Sequence, residues 1–185
     1  MSRNGREYIL NLLPEIKKIK DIKLRGTVLD VWIKAMKMGG WERIEDVPFT
    51  LLIPGCSVSL IEHVRAVINL CINVAEVMCE RAKSKYNLSV NRDYLIAGAA
   101  LHDVGKLLEY KNENGKVIRS KRGKLLRHPF IGVWLALQCG VTDEVAHIIA
   151  THSDEGNIVN RSPEAVIVHF CDFAYFDFIK MKHAS

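Results

Sequence analysis

Apolar residues recur at helical spacing along most of this chain, and turn residues punctuate them. Residues 6–20 read as a short basic helix that Pro14 breaks. Residues 24–38 carry Leu24, Val28, Val31, Trp32, Ala35 and Met38 on one face, and Gly39-Gly40 ends them. Residues 41–57 hold Pro48 and Pro54-Gly55 and read as irregular. The clearest helix spans 60–84, with the stripe Leu60, Val64, Val67, Ile68, Cys71, Ile72, Ala75 and Met78. Ser57 or Ser59 is placed to cap it. A helix over 91–108 follows, in which Gly98 and its neighbouring alanines allow close helix approach. Asn114-Gly115 signals a tight turn and a small β-hairpin near 110–122. Further helices are expected over 129–139, from Thr142 to about His152, and over 163–181 after Ser162-Pro163-Glu164. The fold class is therefore all-α, a single-domain helical bundle. Residues 1–56 read as a helical extension packed on a core domain of residues 57–181.

Composition narrows the class without naming a function. The chain has 185 residues, 49% of them hydrophobic and 25% charged, an ordinary globular balance. No apolar run suits a membrane span, and the start has no apolar segment that would read as a secretory signal. Cys56, Cys71, Cys79, Cys139 and Cys171 include no CxxC pair, and Cys71, Cys79 and Cys171 read as buried. A reducing, cytoplasmic setting is expected. The formal charge of +5 favours an anionic partner. No GxSxG, GxGxxG or GxxxxGK(S/T) motif occurs.

The candidate chemistry lies in His63, His102, Asp103, His128, His152 and Asp172. The adjacent pair in Leu101-His102-Asp103-Val104-Gly105-Lys106 ends an apolar helix. Asp172 lies in the apolar stretch Val168-His169-Phe170-Cys171-Asp172-Phe173. An ionised carboxylate in such surroundings needs a counter-charge, and a divalent cation supplies one. Taken singly, each has a plainer reading: a helix cap for Asp103, an arginine partner for Asp172, a core histidine for His63. Together they are the donors a transition metal takes. His128 and His152 sit at loop–helix junctions. His147 reads as surface or core, His169 as a group orienting a ligand, and His183 as tail. Lys106, one turn beyond the pair, is placed to hold a phosphate or to pair with Asp103. The basic stretch 111–127, ending at Arg127, reads either as a solvated loop or as a phosphate-attracting wall. It interleaves no aromatics, so no base-stacking platform for single-stranded nucleic acid is indicated.

These motifs resemble the HD-domain metal-dependent phosphohydrolase superfamily over about residues 57–177. Ser59-Leu60-Ile61-Glu62-His63 resembles its first-histidine helix, His102-Asp103-Val104-Gly105-Lys106 its HDxxK segment, and His128-Pro129-Phe130-Ile131-Gly132 its HPxxG histidine. Thr151-His152-Ser153 and the run ending in Asp172 resemble the later histidine and final aspartate. The resemblance implies a helical bundle with His63, His102, Asp103 and Asp172 on one metal. In two-metal members Asp103 bridges, and His128 and His152 hold the second ion. Ser153 stands where many two-metal relatives carry another histidine, and the Gly-Tyr-Pro signature of cyclic-dinucleotide phosphodiesterases is missing.

The expectation is a metal-dependent phosphohydrolase acting on a nucleotide or other small phosphate ester, using one or two Mn, Fe, Co or Ni ions. Asp103 and Lys106 are the expected catalytic residues, and Lys106 and Arg127 the expected substrate contacts. A phosphodiesterase or dinucleoside-polyphosphate hydrolase on the same site is the first rival. A non-catalytic nucleotide-sensing module and a plain helical scaffold are the others.

Overall fold

The computed structural model describes residues 3–86 and 88–182; His183 lies outside them. Local sequence sets most helix ends. The first helix, α1 (Arg3–Leu12), gives way to a 3-10 turn over Pro14–Lys18, because proline cannot continue the hydrogen-bond ladder. Asp21 caps α2 (Ile22–Gly39) by accepting from the amides of Lys23 and Leu24, and Gly40 closes it in the left-handed region at φ 71°. Ser59 and Glu62 form a reciprocal capping box at the start of α3 (Leu60–Tyr86). Asn91 caps α4 (Arg92–Leu101).

α4 is the centre of the molecule. It packs against α2, α3, α8 (Asp143–Thr151) and α9 (Pro163–Lys182), and every residue from Leu95 to Leu101 is buried. Gly98 permits this: a Cβ there would lie 2.5 Å from the Ile148 side chain of α8. One hydrophobic core runs through Ile9, Leu13 and Trp32 of the first helices into Val64, Ile68, Leu95, Ile149 and Val168. The Trp32 indole donates to the Ala100 carbonyl and the Trp41 indole to that of Leu107. The core residues between Ile9 and Val47 thus belong to the same core as the rest.

Three expectations change. The helix over 91–108 is broken: α4 stops at Leu101, a turn carries residues 102–105, and a short α5 (Lys106–Glu109) restarts it. The hairpin expected near 110–122 is present, so the basic stretch is not an open loop. It forms the hairpin β1 (Tyr110–Glu113) and β2 (Lys116–Arg119), then α6 (Lys121–Leu125), leading into α7 (His128–Leu137). Asn114 and Gly115 take φ of 55° and 81°, as a type I′ turn requires, and Tyr110 pairs with Arg119. Met38 and Met78, placed in core stripes by spacing, are 45% and 49% exposed, and Cys79 is only half-buried. Irregular residues 41–57 contain one 3-10 turn, Ile44–Asp46, and a bridge from Pro48 to Ser59.

Candidate metal centre

Five elements bring the six candidate ligands to one place. His63 comes from the first turn of α3, His102 and Asp103 from the turn after α4, and His128 from the first residue of α7. His152 follows the last residue of α8, and Asp172 lies midway along α9. All four histidines and Asp103 are buried.

Asp103 divides the cluster in two. Its Oδ2 faces His63 Nε2 at 3.2 Å and His102 Nε2 at 3.4 Å. Asp172 Oδ1 joins this half, 3.1 Å from His63 Nε2 and 3.8 Å from His102 Nε2. The other oxygen of Asp103, Oδ1, faces His128 Nε2 at 3.2 Å and His152 Nε2 at 3.8 Å. Two sets of donor atoms result, His63–His102–Asp103 and Asp103–His128–His152, each close enough to share one ion.

The hydrogen bonds show what these donors lack. His152 Nδ1–H is committed to the Ile149 carbonyl at 2.8 Å, and His128 Nδ1–H to Glu109 Oε2 at 2.9 Å. In the neutral rings both Nε2 atoms therefore carry lone pairs, and these face each other at 3.2 Å. The Asp103 Oδ1 atom beside them is buried without a hydrogen bond. Lone pairs and an orphan carboxylate oxygen pointing inward destabilise one another unless a cation lies among them. Imidazole and carboxylate are suitable donors for a divalent metal, and the cluster fits one.

Charge is tuned to match. Burial opposes ionisation of Asp103, yet Lys106 and the nearby histidines hold its carboxyl well below the usual range. Asp172 is likewise lowered, burial being outweighed by His63 and His102. Burial and the adjoining His102 and His128 push His152 down to about 3, so that ring is neutral near pH 7. Burial opposes the charged form of His102, but the carboxylates of Asp103 and Asp172 raise it.

Around the cluster, Lys106 Nζ donates to Asp103 Oδ2 at 2.6 Å and to the Phe49 carbonyl at 2.8 Å. Pairing with Asp103 is thus the alternative realised for Lys106. Arg127 stands at the mouth, its Nε 3.4 Å from Glu155 and 3.6 Å from Glu109. His169 Nδ1 donates to the His152 carbonyl, while His147 Nε2 accepts from the Ser162 amide. Ser153 donates to Glu155 at 2.6 Å. A cleft of ≈ 240 Å³ opens over Asp103, His128 and Asp172, walled by Phe49 and Thr50, by Phe173 and Phe176, and by Arg119 and Arg127. Of the basic stretch, Lys111, Lys116, Lys121, Arg122 and Lys124 stay outside it; Arg122 lies over the Trp134 ring.

Glu109 is the residue that sequence reasoning passed over. It is 1% exposed and accepts from both the His128 amide and Nδ1. An acid enclosed by apolar neighbours in Leu107-Leu108-Glu109-Tyr110 was the available signal. Phe49 was hidden in a segment with no periodicity; its ring lies 4.5 Å from that of His63.

Residues 60–173 match the family model described as HD domain. A dihydroneopterin 2',3'-cyclic phosphate phosphodiesterase of Methanocaldococcus jannaschii is 34% identical, over 62% of this chain and 45% of that protein. The 3'-5' exoribonuclease YhaM of Geobacillus sp. (strain WCH70) is 36% identical, over 51% of this chain and 33% of its own length. The chain thus spans less than half the length of these curated relatives. No solved structure gives a significant match. No helix among the described residues is long and apolar enough to cross a membrane.

Proposed function

The chain belongs to the HD-domain family, and from that membership we propose that it is a metal-dependent phosphohydrolase that cleaves a nucleotide or other small phosphate ester with an activated water. The carrying observation is Asp103, whose two oxygens each face a separate pair of histidines. His63, His102, Asp103 and Asp172 would hold one ion, and Asp103, His128 and His152 a second. Mixed imidazole and carboxylate donors favour Mn, Fe, Co or Ni over Mg. Bound divalent ions supply Lewis acidity, which acidifies water and draws off phosphoryl charge.

The chain's own residues do the rest. Lys106 keeps Asp103 ionised and oriented, and lines the cleft with its own charge. Glu109 fixes the His128 ring with Nε2 turned inward. Asp103 and Asp172 accept the proton side of a water and aim its oxygen at phosphorus. Arg127 meets the substrate at the mouth. Phe49, Phe173 and Phe176 limit water on the apolar wall.

A phosphodiester is the favoured alternative to a monoester, because both relatives carry names of enzymes that cut such bonds. The five free thiols support a reducing, cytoplasmic location.

The test is elemental analysis of protein purified without a metal-binding tag, followed by turnover of phosphate mono- and diesters with the metal found. Near-stoichiometric or higher transition metal is expected, with turnover lost in Asp103→Ala. Full activity in that variant, or no metal after reconstitution, overturns the assignment. Metal and tight nucleotide binding without turnover of any ester point to a sensing module instead.

A further inference from the structure

The cleft has a second cationic feature away from the Asp103 cluster. Lys106 is committed to Asp103 and to a backbone carbonyl. Among the described residues on the cleft wall, this leaves Arg119 and Arg127. They arrive from different elements, Arg119 from the end of β2 and Arg127 from just before α7. Both flank one carboxylate: Glu109 Oε1 lies 3.7 Å from Arg119 Nε and 3.6 Å from Arg127 Nε. Those distances lie beyond hydrogen-bond length. Arg127 Nε is buried and has no hydrogen-bond partner. Yet the side chains are 37% and 42% exposed, so the guanidinium groups are not sealed into the core.

An ordinary structural ion pair closes its hydrogen bonds; this one does not. Glu109 spends its Oε2 on His128 and holds the two arginines loosely around Oε1. Glu155, the other acid near Arg127, uses its Oε2 on Ser153 and leaves Oε1 3.4 Å from Arg127 Nε, without a hydrogen bond. Two planar guanidinium forks with unmet donors suit one tetrahedral oxyanion. Glu109 and the His128 ring stand between them and Asp103: Glu109 Oε2 is 2.9 Å from His128 Nδ1, and His128 Nε2 is 3.2 Å from Asp103 Oδ1.

We propose that Arg119 and Arg127 form a subsite for a second phosphate, so that the preferred substrate carries two phosphate groups on one nucleoside unit. This rests on the phosphohydrolase reading and narrows its substrate class. The hairpin is then part of the substrate-binding wall, with Arg119 its contact residue.

Calorimetric titration with adenosine 5'-monophosphate and adenosine 3',5'-bisphosphate tests it on the full chain with its native metal. The bisphosphate is expected to bind about tenfold tighter or more, the scale of one added charge-assisted contact. In Arg119→Ala and in Arg127→Ala that ratio is expected to fall below about twofold, with Arg119→Lys between. Lys111→Ala, on the outer part of the hairpin, keeps the full ratio. Unchanged thermal midpoints exclude a folding effect. Equal affinity for the two probes in the wild type overturns the subsite, as does a ratio that survives removal of both arginines. Turnover of bis(4-nitrophenyl) phosphate separates this from the broader reading. Turnover without a binding ratio removes the subsite alone. A binding ratio without turnover of any ester keeps the subsite and removes the hydrolase.

Discussion

Asp103 is nearly as buried as any residue in the molecule, and two kinds of partner keep it charged. Lys106 supplies a fixed ammonium at 2.6 Å. The facing imidazoles supply donors for an added cation. Removing the lysine isolates the two contributions. In Lys106→Met the metal-free protein leaves a buried carboxylate without its permanent counter-charge, which costs roughly 3 kcal/mol. Its urea midpoint should fall in chelator and recover when Mn is added. Equal losses with and without metal would show that Lys106 serves packing rather than charge. Glu109 makes the complementary case. Glu109→Leu keeps roughly the bulk but removes both carboxylate oxygens, so the His128 amide and Nδ1 lose their shared acceptor. Metal affinity or activity should fall ~10–100-fold, as for other groups behind a ligand. Metal titration and kcat measured together check this, and an unchanged value for both would refute the orienting role.

At the scale of elements, the ligands sit at helix ends more than on helix faces. His102 and Asp103 follow α4, His128 opens α7 and His152 follows α8. Adjacent residues on a continuous helix diverge by about 100°. His102 keeps helical dihedrals, yet in the turn at this helix end the two side chains reach a common point, His102 Nε2 lying 3.4 Å from Asp103 Oδ2. Gly105 permits the turn to lie against α7, since a Cβ there would come within 2.1 Å of the His128 carbonyl oxygen. Backbone cannot yield as a flexible side chain would. Gly105→Ala should therefore displace the start of α7, destabilise the protein by about 1–3 kcal/mol, and depress activity beyond what the stability loss explains. A variant with wild-type turnover and midpoint would show that the two segments can part without harm. Phe49 adds a wall from outside residues 60–173, the part that matches the family model, and its carbonyl is tied to Lys106. The irregular segment thus earns its order from contacts with the site, since its sequence carries no periodic signal.

Across the whole molecule, one ion would tie together α3, α9 and the turn after α4, and a second would tie that turn to α7 and α8. Metal is therefore expected to stabilise the entire bundle. At a thousandfold excess over Kd the gain is about 4 kcal/mol, or roughly 10 °C in midpoint for a chain of this size. Thermal unfolding with and without chelator measures it, and coincident curves would argue that the six ligands bind no ion. The sequence by itself determined the helical class, most helix boundaries, the hairpin turn and the chemical identity of the six converging side chains. Those features are local: a cap, a proline, a glycine at positive φ and an apolar stripe act within a few residues. Adjacent His102 and Asp103 in an apolar segment could be read as anomalous for the same reason. Only the tertiary structure decided that α4 ends before that pair, that Lys106 spends its charge on Asp103, and that Glu109 backs His128. It also decided which two members of a long basic stretch enter the cleft. Each of these depends on which distant element fills the neighbouring space, and spacing along the chain carries no record of that.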